Sequence, residues 1–336
     1  MVLFSTLSFF EDATALVWPA GRRVVFLTVP ADGARTVIRP VANRLTAARR
    51  AAGRTGAVAR AMAAFLLAGI VSLRAEETET FAERTLRQLV ERQKELMADA
   101  AKSGDKLDQS GFQTQMESVC RGYEQLLRSN PEFARGYAAY GYLLSKLDQR
   151  RESITMLMKA NQLDPNQPLV KNQIGNYLAE EGKPLEAAEY FMAAIKLAPN
   201  EALYHYQLGT LLYEARDDFL KSGEWKKDAI DHAIHEAFKR AAELAPDQFE
   251  FQYRYAESFY DMEVPDWDEA LKQWAKLEEK APTPIERETM RLHAANILIK
   301  QGKLDHARVV LASVTVPELQ KQKEKLVAQL APTGEK

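Results

Sequence analysis

"ANQLDPN" (Ala160–Asn166) returns as "AIKLAPN" (Ala194–Asn200), 34 residues later. Working outward, prolines that close short Leu-containing segments stand at Pro131, Pro165, Pro199, Pro246 and Pro282, at intervals of 34, 34, 47 and 36. The long interval is one period of 34 with 13 residues inserted. A period in this range marks stacked supersecondary units, each too small to bury its apolar side except against its neighbours.

Within a period the apolar spacing is helical. Tyr137, Tyr140, Gly141 and Leu144 lie on one face. A turn follows around Asp148, and Ser153, Leu157 and Ala160 form a second face before Pro165. The next unit repeats this with Ile174, Gly175 and Leu178, then Gly182, then Ala187, Phe191, Ala194 and Pro199. Spacings of three, four and seven describe amphipathic helices, two per unit. The Gly and Ala positions let two antiparallel helices approach closely. Proline ends a helix by removing a donor and crowding the preceding turn. The following Asn166, Asn200 and Asp247 are expected to cap the next helix. Gly182 and Gly302 are expected at left-handed C-termini, and Asp266 with Glu269 reads as a capping box.

These residues resemble the tetratricopeptide repeat, a 34-residue helix–turn–helix unit with an aromatic, Leu-Gly, an aromatic, then Ala, an aromatic, Ala and Pro. "LYHYQLGTLLYEA" (Leu203–Ala215) is similar to its first helix and "PLEAAEYFMAAIKLAPN" (Pro184–Asn200) to its second. The resemblance runs from about Ala134 to Val314. It departs from the pattern at "RDDFLKSGEWKK" in the third unit, and at Ala256 and the added "EVP" in the fourth. The fifth unit lacks the closing Ala and Pro. The resemblance implies an all-α, right-handed α-solenoid of about five repeats over 131–316. The polar segment "VPELQKQKEKLVAQL" within 317–336 is then a C-terminal capping helix and tail. Residues 76–130 read as an irregular N-terminal helical hairpin; Leu86, Leu89 and Leu96 give too few heptads for a coiled coil.

The 336 residues, 46% of them apolar, carry a net charge of -2 that is unevenly spread. Up to Ala75 there are ten Arg, no Lys and three acids; beyond it the balance is about -9. Residues 1–61 read as a basic extension or as the product of a start site placed too early, and the reading favours the second. Residues 62–75, with Arg60 upstream, an apolar run from Ala63 to Leu73 and acids from Glu76, look like a secretory signal with cleavage after Ala75. The run is too short for a stable span, which needs about 20 residues, and Leu73 stands where a small residue is expected. The expected location is periplasmic or secreted, and cytoplasmic if the run is not a signal. The single Cys120 allows no internal disulfide and reads as a small core side chain.

No phosphate-cradling glycine loop or nucleophile elbow is present. His232 and His235 share a helix face with Asp231 and Glu236 nearby, but two imidazoles fall short of a metal site, and they read as surface histidines. The adjacent acids Asp217 and Asp218, and Glu278 and Glu279, read as solvated. Tyr140, Phe191, Phe238, Phe259 and Trp274 read as core. No enzyme activity and no cofactor is expected, and the acidic array disfavours nucleic acid.

The resemblance implies that the first helix of each pair lines a concave groove. The exposed stripe there would comprise Tyr142, Asn172, Asn176, Tyr206, Tyr213, Tyr253, Tyr260 and Asn296. Asparagine amides can donate to and accept from a peptide backbone, and Tyr adds rigid area with a polar tip. The expected function is a protein-binding scaffold or adaptor that takes a peptide or helix of a partner, with the membrane involved only through the signal-like segment. Positions expected for a carboxylate clamp offer Ala138 and Tyr142, so that variant is not visible. The competing readings are a metal-binding or enzymatic protein built on the inserted third hairpin, and a self-assembling structural repeat.

Overall fold

The computed structural model describes residues 80–104 and 107–330; the basic extension, the signal-like segment and the last six residues lie outside them. The described residues form two units that divide after Pro131.

The first unit contains α1 (Phe81–Ser103) and α2 (Gln109–Ser129), packed as a hairpin. Thr80 opens α1 with a capping box: its hydroxyl accepts from the Glu83 N–H, and the Glu83 carboxylate accepts from the Thr80 N–H. Asp108 caps α2 by accepting from the Gly111 N–H at 3.1 Å. Leu96, Met97 and Ala100 meet Met116, Val119, Tyr123, Leu126 and Leu127 in the buried seam. The Tyr123 hydroxyl, which could not be buried without a partner, donates to Gln93 Oε1 at 2.8 Å. Cys120 is half-buried rather than a core residue.

The second unit is an all-α solenoid of helix pairs in chain order. Helices α3 (Ala134–Lys146) and α4 (Arg150–Leu163) pair, as do α5 (Pro168–Glu180) and α6 (Pro184–Leu197). The third pair is α7 (Ala202–Glu214) with α9 (Lys227–Leu244), and the insertion between them folds as a short helix, α8 (Arg216–Ser222). Phe219 secures α8, fully buried and edge-on to Trp225 at 5.8 Å. Helices α10 (Phe249–Ser258) and α11 (Trp267–Lys280) make the fourth pair, and α12 (Pro284–Lys300) with α13 (Leu304–Ala312) the fifth.

The small residues at the crossings are sterically required. A Cβ on Gly141 would lie 2.8 Å from Leu157 Cγ, one on Gly175 2.8 Å from the Phe191 ring, and one on Gly209 2.9 Å from the Phe238 ring. Three hairpin turns share one geometry. Gly182 and Gly302 both have φ of 73°, and Asp148, at the equivalent place, has φ of 58°. In each, the next residue's N–H reaches back to close the helix: Gln149 to Leu144 O, Lys183 to Leu178 O and Lys303 to Leu298 O, all at 2.9 Å.

The N-caps differ from expectation. Helices α5, α7 and α10 start after Gln167, Glu201 and Gln248, without a side-chain cap. Asn166, Asn200 and Asp247 stand one residue too early, in the turn; Asn166 N–H is held by Asp164 Oδ1 at 3.0 Å. Asp266 does cap α11 at Glu269 N, but the Glu269 carboxylate turns to Lys272 and Gln273 instead of closing the box.

The expected core aromatics Tyr140, Phe191, Phe238, Phe259 and Trp274 are all buried. The end of the unit is sealed by a 3-10 turn (Pro317–Leu319) and α14 (Gln320–Ala328). Helix α14 buries no residue fully; Leu319 and Leu330 on either side of it close over Leu311 and Val314. Glu288 of α12 fastens this segment. Its buried carboxylate accepts from Thr315 N–H and Val316 N–H, both at 2.6 Å, and from the Thr315 hydroxyl at 2.9 Å.

Candidate functional site

The first helices of successive pairs, α5, α7, α10 and α12, are bridged by their own side chains along one face. Gln207 Nε2 of α7 donates to Asn176 Oδ1 of α5 at 3.1 Å. The Tyr206 hydroxyl of α7 donates to Glu250 Oε1 of α10 at 2.5 Å, and its ring stacks on Phe251 at 4.6 Å. Tyr213 lies over the Arg254 guanidinium of α10 at 4.4 Å. The Tyr260 hydroxyl, just past α10, meets His293 Nδ1 of α12 at 3.2 Å and also hydrogen-bonds Asn296.

Six of the eight residues expected on an exposed groove stripe take part in this bridged face: Asn176, Tyr206, Tyr213, Tyr260, Asn296, and Tyr253, which stands edge-on to His293 of α12 at 6.1 Å. Exposure is where the expectation fails. Asn172, Tyr206 and Tyr253 are buried, at 0, 5 and 3% exposure. Tyr206 lies between Phe238 of α9 and Phe251 of α10, so a side chain can face the inner stripe and still be enclosed. Tyr253 is wedged edge-on to Trp274 at 5.3 Å. Burial lifts the phenol pKa values of Tyr206 and Tyr253 well above their ordinary value, with Glu250 and Glu257 respectively adding to the effect. Tyr142, Asn176, Tyr260 and Asn296 are half-buried, and Tyr213 is 39% exposed.

Asn172 is the anomaly of this face. Its side chain is fully enclosed, yet neither amide atom has a hydrogen-bond partner, and Gln207 Oε1 is likewise buried without one. Leaving a buried polar group unpaired costs about 1–3 kcal/mol. Asn172 and Asn176 lie four residues apart on α5, and Gln207 of α7 is bonded to Asn176.

Sequence reasoning missed the charged residues of this face. Arg254 is buried between the Tyr213 and Phe238 rings, 4.4 and 4.8 Å away, and paired with Glu257. Arg216 Nη2 lies 3.1 Å from buried Asp231 and 3.2 Å from Asp261. Only the spacing of Arg254 and Glu257, one helical turn apart, was visible in the sequence.

The histidines of α9 part company. His232 is exposed, whereas His235 is buried, its Nδ1 2.9 Å from Ser258 Oγ and its ring edge-on to Phe259 at 4.6 Å. The reading of both as surface residues is therefore corrected. Burial lowers the His235 pKa, against the opposing pull of Glu236. Among the described residues no group of three His, Cys, Asp or Glu side chains is placed to hold a metal. Glu278 is also not simply solvated, since it receives Arg291 Nε at 2.6 Å. Among the described residues no helix is long and apolar enough to cross a membrane.

Comparison with known proteins agrees with this architecture. Residues 134–167 and 170–201 match the tetratricopeptide repeat model. No curated protein matches the chain. Among solved structures, PilF of Pseudomonas aeruginosa is similar at 14% identity and a TM-score of 0.50, over 74% of this chain and all of that one. YrrB, described as a tetratricopeptide-repeat protein with an unusual peptide-binding site, is 19% identical over 61% of this chain and 91% of its own, with a TM-score of 0.48. MamA from Desulfovibrio magneticus RS-1 is 17% identical over 61% of this chain and 99% of its own, with a TM-score of 0.43. At such identities the similarity to PilF is one of fold. Residues 134–167 and 170–201 are thus two tetratricopeptide repeats, and the helix pairs that continue from them share the fold of a solenoid of such units.

Proposed function

We propose that the chain is a protein-interaction scaffold whose bridged first-helix face holds a segment of a partner protein. The observation that carries this reading is the placing of accessible amide and ring groups on successive first helices, the half-buried Asn176 on α5 and the exposed Tyr213 on α7. A main-chain peptide unit offers the complementary pair, one N–H and one C=O, at each residue. An extended segment presents these groups along its length, whereas a helix has used them internally, so an extended peptide suits the amides better. Preformed helices also spare the complex part of the ordering cost on the scaffold side.

Capture of partners from a cell-envelope fraction, read by mass spectrometry, tests this against a variant. The chosen changes are Asn176→Ala and Tyr213→Ala, both at accessible positions; Tyr206 is unsuitable because its loss would also damage the core. The double variant should melt within about 1 kcal/mol of wild type and fail to retain partners that wild type holds. Equal retention by both would overturn the groove assignment.

The same reading places the chain beyond the inner membrane of a bacterial-type cell, on the strength of the apolar run Ala63–Leu73. N-terminal sequencing of the mature chain should find a start after Ala75. A mature chain that begins upstream of Met62 would instead indicate a cytoplasmic scaffold.

A further inference from the structure

We infer that the α7–α10 stretch of the groove receives a basic side chain, Lys or Arg, of the bound segment, seated on the Glu214 carboxylate at the end of α7. The inference rests on the groove reading above and adds the chemistry of the occupant.

Glu214 ends α7 and is partly exposed. The other acids of the α7–α10 stretch are engaged: Glu250 accepts from the Tyr206 hydroxyl, Glu257 is paired with Arg254, and Asp261 lies 3.2 Å from Arg216. Glu214 makes no hydrogen bond or ion pair among the described residues. The contrast with the preceding repeat is direct. Glu180 stands 34 residues earlier at the same last position of α5, and there Arg150 reaches it at 3.2 Å. The residue 34 after Arg150 is Pro184, so the third repeat keeps the carboxylate and lacks its cation.

The local cations cannot make up the loss. Arg254 is enclosed between two rings and paired, and Arg216 is shared by Asp231 and Asp261. Glu214 is therefore left without an ion-pair partner among the described residues. Burial already raises the Glu214 pKa to about 7, against the opposing pull of Arg254. A peptide lying over Glu214 would desolvate it further, which a cation offsets and a neutral or acidic residue does not.

The test uses the full chain and three short fluorescein-labelled peptides, identical except for a central Lys, Met or Glu, read by anisotropy. At a pH above 7 and low salt, the Lys peptide should bind about tenfold tighter than the Met peptide, equivalent to about 1.4 kcal/mol, and the Glu peptide more weakly than either. The preference should shrink as the pH falls below the lifted Glu214 value and as salt rises. Glu214→Gln, which keeps the shape, should erase the preference, so that the Lys and Met peptides bind alike. Asn176→Ala should weaken all three peptides alike. If the three bind equally to wild type while Asn176→Ala still weakens them, the inference falls and the groove stands. A Lys preference that survives in Glu214→Gln also overturns it. If no peptide binds, the groove reading falls and takes this inference with it.

Discussion

Helix pairs α3–α4 and α5–α6 cross at Gly141 and Gly175, where a Cβ would press on Leu157 or Phe191. The pair α10–α11 crosses with Ala256, fully buried, and joins the next pair through stacked rings. His293 of α12 lies on Trp274 of α11 at 3.8 Å with an interplanar angle of 1°, and Tyr253 stands edge-on to the same indole. Burial drives the His293 pKa down to about 3, so the imidazole is neutral and stacks without a charge to solvate. The difference teaches how a repeat diverges. The early pairs depend on backbone approach, fixed by residues that cannot be enlarged. The late pairs depend on large side chains packed ring on ring, and they lie beyond the residues that match the family model.

The comparison breaks most readily at Trp274. Trp274→Ala removes the largest fully buried side chain and should cost about 3–5 kcal/mol, seen as a lower midpoint in urea unfolding. A loss under about 1 kcal/mol would mean that the late pairs do not lean on this stack. Glycine sharpens the contrast at smaller scale. Gly175→Ala should destabilise by about 1–3 kcal/mol through overpacking against Phe191. Adding the same methyl has already been accommodated at Ala256, and Ala256→Gly should cost roughly 1 kcal/mol through chain entropy. Equal effects of the two changes would erase the distinction between the halves.

The smallest expected effect is a pH slope. Glu214 has its pKa raised by burial from 4.5 to about 7 in the folded chain, so between these values the folded form binds more protons than the unfolded one. Its contribution is favourable below 4.5 and is lost as the pH rises through about 7. Melting followed from pH 5 to pH 8 should fall more steeply for wild type than for Glu214→Gln. The opposite order would show that Glu214 is stabilised in its charged form by groups within the chain.

The period of the prolines and the small residues at Gly141 and Gly175 were enough to place the helices, because both are consequences of local backbone geometry. The left-handed turns at Gly182 and Gly302 were legible for the same reason. The site was less so. Helical periodicity shows that Asn172, Asn176, Tyr206 and Tyr213 occupy inner positions of their helices. It does not show which of them the following first helix will cover, since that depends on contacts with residues up to 44 positions away, as between Tyr206 and Glu250. His235 was misread on the same ground: its cover comes from Tyr255, Ser258 and Phe259 in the next helix pair.

Glu288 has a role in the order of disassembly. Burial alone would raise its pKa, but the donors of Val316 and Thr315 prevail and hold it below the ordinary value. Its clasp on the closing segment therefore persists at neutral pH and weakens as acid protonates it. Once the pH falls below 4.5 the last turns should loosen, exposing the Leu311 and Val314 face that Leu319 and Leu330 otherwise shield. A sticky terminus of that kind turns a shared fold into a possible seam between molecules, so acidification is the condition under which a solution of separate chains should begin to associate end to end.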